Sequence, residues 1–598
     1  MSEYSHKRPV RGLTFVVMAA LALGLAARPA QALEITRVLW GFDGRAVPER
    51  VNLLSVLVDN PVATPYNGDA TVYQTDPTGK REGALVAQPL YVGPFGSRWV
   101  QFAVYVAGDQ EDWTLELARR GHRLDAPTLA APARVYLLYP DAVSVRAMDA
   151  KSFPEDLFPS SVSATDGLDS VLMDHAPRWE PLRRQAFVDW LRRGGTVHVF
   201  VGQDGRYPTF TGELAVLNAQ APRQRVGAGL VVRHAADEQK PGERSLAEQG
   251  FPPLTLERAQ NRYYMDSMDS DILRGLARLV QPKHSWVLIY LVLVVYGALV
   301  VPVNWLMGRK GRGFRAPLIF FLACVLCTTV LLSFIGRRGY GETQRQVSVA
   351  VARQLDDGVY DVTHWTNVFM TRGGQYPLAY PGDSGIYSTA QTAETVNAVA
   401  VNGVGGRLTA DIPLYSSRSF LHRGKMHGPD LGLRVVKVKP GKQPDEPRLS
   451  LVCSVGPQFP EHVIHAWALY RDRFYQMDRK GDRLSLVDVV GQQSGSFLAE
   501  SQRQMEQTYF RGPSDQGDAE APAEQTFARL ERPLIAHCLG GTQESAYHFS
   551  GGTAAEDRIQ LFIFAAGSGA FAEGPAGGPQ TGDVLYHIDL FASEALHE

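Results

Sequence analysis

Along residues 33–128 the dominant pattern is alternation. Val100, Phe102, Val104 and Val106 interleave with Trp99, Gln101, Ala103 and Tyr105, the period of two expected of a strand with one buried face. The stretch VNLLSVLVDNPVATPYNGDATVYQ predicts two more strands, broken at Asn60-Pro61 and Asn67-Gly68. An immunoglobulin-like β-sandwich is the expectation for residues 33–128.

Near Arg134 the pattern changes. RVYLLYP, LDSVLMDHA and TVHVFVG are short apolar runs, and PLRRQAFVDWLRRGG between the last two has helical spacing. Leu182, Ala186, Trp190 and Leu191 are expected on its buried stripe, with Gly194-Gly195 stopping the helix. A later run, GAGLVVRH, and the amphipathic SDILRGLARLVQ complete an expected α/β unit over 129–284, since strands alternating with helices imply a parallel sheet covered on both faces. In the second helix Ile272, Leu273, Leu276, Leu279 and Val280 form the stripe.

Two uncharged apolar runs follow, 286–307 and 316–335. Their length predicts a transmembrane hairpin over 285–336. The turn 308–315 carries Arg309, Lys310, Arg312 and Arg315 and no acid, which places it in the cytoplasm by the positive-inside rule. Residues 1–32 read as a signal peptide: Lys7, Arg8 and Arg11 precede an apolar run that ends at Ala30-Gln31-Ala32. Both large soluble regions are then extracytoplasmic, and the expected localisation is the bacterial inner (cytoplasmic) membrane. Beyond the hairpin, 337–598 reads as an extracytoplasmic β-rich region, with two sandwiches as one arrangement. Its loops RGPSDQGDAEAPAEQ and AEGPAGGPQTG have a solvated composition.

Composition narrows the function classes. The 598 residues hold 60 basic and 62 acidic side chains, a formal charge of -2 without strong blocks, so the electrostatic footprint of nucleic-acid binding is missing. No cofactor motif and no metal-ligand spacing stands out. His462 and His465 are three apart on an expected strand, where they face opposite sides and cannot share a metal. Cys324 and Cys327 have a redox spacing but lie inside the second apolar run, where apolar surroundings raise a thiol's pKa. Gly382-Asp383-Ser384-Gly385 and Ile535-Ala536-His537-Cys538 imitate pieces of a serine-protease triad and are taken as a turn and a strand end. Cys453 and Cys538 are a candidate disulfide in an oxidising compartment, with a buried unpaired thiol as the other reading.

The unit 129–284 resembles the class I glutamine amidotransferase-like, flavodoxin-type domain. The resemblance rests on Asp169-Ser170-Val171-Leu172-Met173, the helix Leu182–Arg193 and the strand 196–202 leading to Phe200-Val201-Gly202-Gln203-Asp204-Gly205. That family presents a Cys at this turn; Val201 stands there instead and has no lone pair with which to attack. The order of parts, with Pro302, Val303 and Asn304 before the basic turn, is similar to that of uncharacterised bacterial inner-membrane proteins of aerotolerance-operon type. That likeness implies other envelope proteins as partners, among them a von Willebrand A-domain protein linked to a MoxR-type ATPase. The resulting expectation is a non-catalytic cell-envelope membrane protein that presents binding or scaffold modules to proteins or a surface polymer. The alternative is an extracytoplasmic hydrolase using Asp174, His175 and Asp204 in a crevice at the carboxyl ends of the strands.

Overall fold

The computed structural model describes residues 33–75, 78–108, 112–139, 150–202, 204–218, 220–235, 246, 251, 268–280, 286–309, 315–339, 344–380, 382, 384–389, 397–440, 448–500, 523–539, 557–567, 571 and 580–595. The expected signal peptide, most of the basic turn, Gln203, Asp383 and most of the two solvated loops lie outside the described residues.

Four sheets carry the fold. The three strands Glu34–Trp40, Arg50–Asp59 and Ser97–Val106 form one sheet, antiparallel throughout. It faces a seven-stranded sheet across a shared core in which Leu54, Val56 and Phe102 meet Ala70, Val72 and Leu115. That second sheet is not confined to 33–128. Ala398–Val401, paired in parallel with Arg81–Val92, brings in Arg407–Ile412 and Gly374–Leu378. Strands more than 280 residues downstream thus complete the sandwich.

In the six-stranded sheet, Gly229–Arg233, Thr196–Val199, Leu168–Met173, Ala133–Leu138 and Lys151–Pro154 are parallel neighbours in that order, and Arg223–Val226 is an antiparallel edge. Helix α1 (Pro181–Arg193) links the strands Leu168–Met173 and Thr196–Val199. Pro181 begins it, and Gly194 ends it at φ +125° by donating its N–H to the Leu191 carbonyl at 2.9 Å. Phe187, Val188, Trp190 and Leu191 are buried, whereas Leu182, expected on the same stripe, is 54% exposed. Gly229 passes so close to α1 that an added Cβ would lie 1.9 Å from the Leu191 carbonyl oxygen. Gly229→Ala is expected to cost about 1–3 kcal/mol through forced displacement of strand and helix, measured as a lower urea midpoint.

The remaining strands form one 13-stranded sheet, not two separate sandwiches. Along its strand Arg345–Asp356, Val347, Val349 and Val351 enter one core cluster while Ala350 and Ala352 enter another. Both faces are therefore buried. On the valine side, α2 (Met268–Val280) and α5 (Ala523–Cys538) supply Ile272, Leu273, Leu276, Leu534 and Ile535.

The protein is mostly β-sheet, and among the described residues the parallel sheet has a single α-helical crossover between its strands, the other described links being 3-10 turns and loops. A doubly wound flavodoxin-type unit needs helices over both faces, so the expected fold class, an α/β flavodoxin-like membrane protein, does not hold. The apolar runs form helices α3 (Trp286–Arg309) and α4 (Arg315–Gly339), but among the described residues no helix is long and apolar enough to cross a membrane. The transmembrane hairpin, the membrane as partner and the inner-membrane localisation are withdrawn on that finding. The envelope partners, including the von Willebrand A-domain protein and its MoxR-type ATPase, lose their basis with them.

Candidate functional site

Asp174 and His175 follow the strand Leu168–Met173, at the carboxyl edge of the parallel sheet where crevices of open α/β sheets collect ligands. Because the strand's backbone is committed to ladders on both sides, its end fixes where these side chains emerge. His175 is 8% exposed and sits between two carboxylates: Nδ1 lies 2.8 Å from Asp174 Oδ1 and Nε2 lies 3.1 Å from Glu155 Oε2. Glu155 opens a 3-10 turn after Lys151–Pro154 and is itself 2% exposed. Its backbone carbonyl accepts the Trp179 indole N–H at 2.7 Å, and its Oε1 accepts the Arg178 backbone N–H at 3.4 Å. Tyr139 stacks on the imidazole at 3.8 Å between centroids, with the Arg178 guanidinium 5.9 Å from the Tyr139 ring centre.

The charges follow from this geometry. Burial disfavours an imidazolium at position 175, but hydrogen bonds to Asp174 and Glu155 and their negative charges outweigh it and raise its pKa to about 9. Burial likewise opposes charge on Asp174, yet the hydrogen bonds from His175 and Tyr136 hold its carboxyl below the usual range. Tyr136 is pushed upward by burial and by its bond to Asp174. At neutral pH the arrangement is an imidazolium donating both of its N–H groups to carboxylates.

Asp204 is not part of this arrangement. Its Oδ1 accepts the Arg206 backbone N–H at 3.0 Å within an exposed turn closed by Gly205 N–H to the Gly202 carbonyl at 3.0 Å. Asp174 and His175 are thus brought together, and Asp204 caps a turn nearby. Sequence reasoning missed Glu155, which lies twenty positions before His175 and carries no local motif. The turn also lacks the strained backbone of a nucleophile elbow: among the described residues from 194 to 205, left-handed φ is confined to Gly194 and Gly205.

The other candidates are dispersed. Cys453 is buried in one core cluster and Cys538 ends α5 at another; both are free thiols, each pushed by burial up to about 12. His465 pairs with Glu531 of α5 at 2.6 Å and has no metal-binding group of three around it among the described residues. His537 lies on α5 and not on a strand end, 3.7 Å from Asp269.

No family model matches the chain, and no curated protein does. Among solved structures, a Paenibacillus sp. cycloisomaltooligosaccharide glucanotransferase complexed with cycloisomaltoheptaose is similar at TM-score 0.15 and 7% identity, over 77% of this chain and 98% of that one. A β-glucuronidase from glycoside hydrolase family 2 is similar at TM-score 0.13 and 7% identity, over 94% of this chain and 62% of that one. Likenesses this weak carry no argument about fold or activity.

Proposed function

We propose that this chain is a non-catalytic binding or scaffold protein whose modules engage another protein or a polymer. One observation carries the reading: both ring nitrogens of His175 are occupied by carboxylates. A catalytic histidine keeps one nitrogen for the group whose proton it moves, with the other oriented by a carboxylate. Here Glu155 takes the place a substrate would need, and an imidazolium with a pKa of about 9 is a poor base at neutral pH. Val201 beside the crevice offers no nucleophilic atom.

Selective 15N labelling of the histidines, with His175→Gln as the assignment control, tests this. The His175 ring is expected to carry protons on both nitrogens at pH 7 and to titrate near 9. A ring titrating near 6.5 with one unprotonated nitrogen at pH 7 returns the hydrolase alternative. Incubation of the whole chain with a diazo-ketone glutamine analogue is expected to leave its mass unchanged; a covalent adduct on residues 200–205 refutes the non-catalytic reading.

A further inference from the structure

The strands Arg81–Val92 and Ser97–Val106 lie in the two facing sheets of the sandwich, and the turn Gly93-Pro94-Phe95-Gly96 connects them, with Gly96 N–H donating to the Gly93 carbonyl at 3.2 Å. Pro94 suits the second position of such a turn, and the third position calls for glycine when its φ is positive. Phe95 stands there, at φ +51°. Its Cβ makes that region costly. The ring gains nothing from folding in return, because Phe95 is 74% exposed. Replacing this residue by glycine would make the turn easier to form.

The conformation is nevertheless held firmly. Asn60, 1% exposed, donates its amide to the Thr64 carbonyl at 2.8 Å and the Gly93 carbonyl at 3.0 Å, and its backbone N–H bonds the Gly96 carbonyl at 2.9 Å. Phe95 N–H reaches the Val62 carbonyl at 3.2 Å. Beside the tip, Tyr91 is 51% exposed and Arg98 donates to the Tyr91 carbonyl at 3.3 Å. Among the described residues no carboxylate pairs with the exposed Arg98. A rigid aromatic, a second aromatic and a guanidinium with no carboxylate partner among the described residues have the chemistry of an interface hot spot. Pre-organisation removes the ordering cost that a flexible loop would meet on binding.

We propose that this tip is a protein-docking knob: Phe95 enters an apolar pocket on a partner protein, and a carboxylate at the pocket's rim meets Arg98. The inference rests on the binding reading above and names its contact. A lipid surface fits less well, because one phenylalanine and one tyrosine fall short of the broad apolar face that holds a protein on a membrane. A pocket that takes a single ring, burying about 150–250 Å² of it, matches the size of the tip.

The full chain carrying a benzophenone amino acid at position 95, irradiated in the cells that make it, is expected to give one discrete protein adduct. The same probe at Glu180 gives none, and adding Arg98→Glu reduces the position-95 adduct at least tenfold. Without the probe, Phe95→Gly is expected to leave the melting temperature unchanged or higher, as removal of a strained, exposed side chain requires. No adduct, an adduct indifferent to Arg98→Glu, or a lowered melting temperature overturns the proposal. So does flotation with anionic phosphatidylglycerol vesicles that Phe95→Gly abolishes. A partner held equally by the wild-type and Phe95→Gly chains removes the knob and leaves the binding reading standing; a chemically labelled crevice removes the binding reading and leaves the knob to its own test.

Discussion

Folded-state stability is expected to fall steeply once the pH drops below about 6.5. His198, His364, His422 and His587 are each 2% exposed or less. Burial holds His364 down at about 4 and His587 at about 3, and it holds His198 and His422 well below their ordinary value, helped by the neighbouring His234 and His364. In the unfolded chain these imidazoles take protons near 6.5. Below that pH the unfolded state binds protons that the folded state refuses, so stability present above 6.5 is lost as the pH falls.

Each such group contributes a slope of up to about 1.4 kcal/mol per pH unit. Four together consume a typical stability of about 5–15 kcal/mol within roughly one to three pH units. His175 acts in the opposite sense: its raised pKa gives stability that is complete below 6.5 and lost as the pH rises through 9. Asp269 opposes acid unfolding too, since burial and the Glu49 charge raise it to about 6, so its protonation favours the fold as the pH falls through that value. Burial also raises Asp169, and it holds His537 well below its ordinary value, so two carboxylates stand against five imidazoles and do not reverse the trend. Urea midpoints measured from pH 8 to pH 4 check this; a curve flat between pH 7 and 5 contradicts it.

Asp361→Ala is expected to cost about 3–5 kcal/mol, the penalty of stripping one partner from a buried ion network. Asp361 is 3% exposed and accepts from Arg193 at 2.8 Å, Arg423 at 2.6 Å and Ser163 at 3.1 Å. Burial pushes its carboxyl up, but the Arg423 and Arg193 charges win and hold it below the usual range. The two arginines also share Asp166. Arg193 ends α1, whereas Asp361 and Arg423 lie on neighbouring strands of the 13-stranded sheet. Removing Asp361 leaves two buried guanidinium groups on one carboxylate, at the seam between the parallel sheet and the large one. A urea midpoint, with hydrogen exchange along α1 as the local readout, measures the effect. A loss under about 1 kcal/mol means that the network adds little beyond what Asp166 supplies.

Much of the local structure was legible because it depends on neighbours in the chain. Alternation at 100–106 gives a strand, with Phe102, Val104 and Val106 in the core as expected. The stop at Gly194 and the buried stripe of α2 follow from short-range conformation and helical period. The site was half legible: Asp174 and His175 are adjacent in sequence and end a readable strand. Glu155 reaches His175 only because Lys151–Pro154 and Leu168–Met173 flank Ala133–Leu138 in one parallel sheet. Asp204 is near the crevice along the chain, but its acceptance of the Arg206 N–H keeps it in the turn.

The sequence by itself determined strands such as Ser97–Val106 and Leu168–Met173, the helices α1 and α2, and which turn lacks a nucleophile, because periodicity, turn chemistry and side-chain identity are properties of a few consecutive residues; it misassigned 535–538, which lie in the helix Ala523–Cys538. Only the tertiary structure decided that Ala398–Val401 completes a sheet with Arg81–Val92, that both nitrogens of His175 are taken, and that Arg193, Arg423 and Asp361 meet. Each of these joins residues far apart along the chain, where hydrophobic burial and charge pairing act through space and leave no local pattern to read.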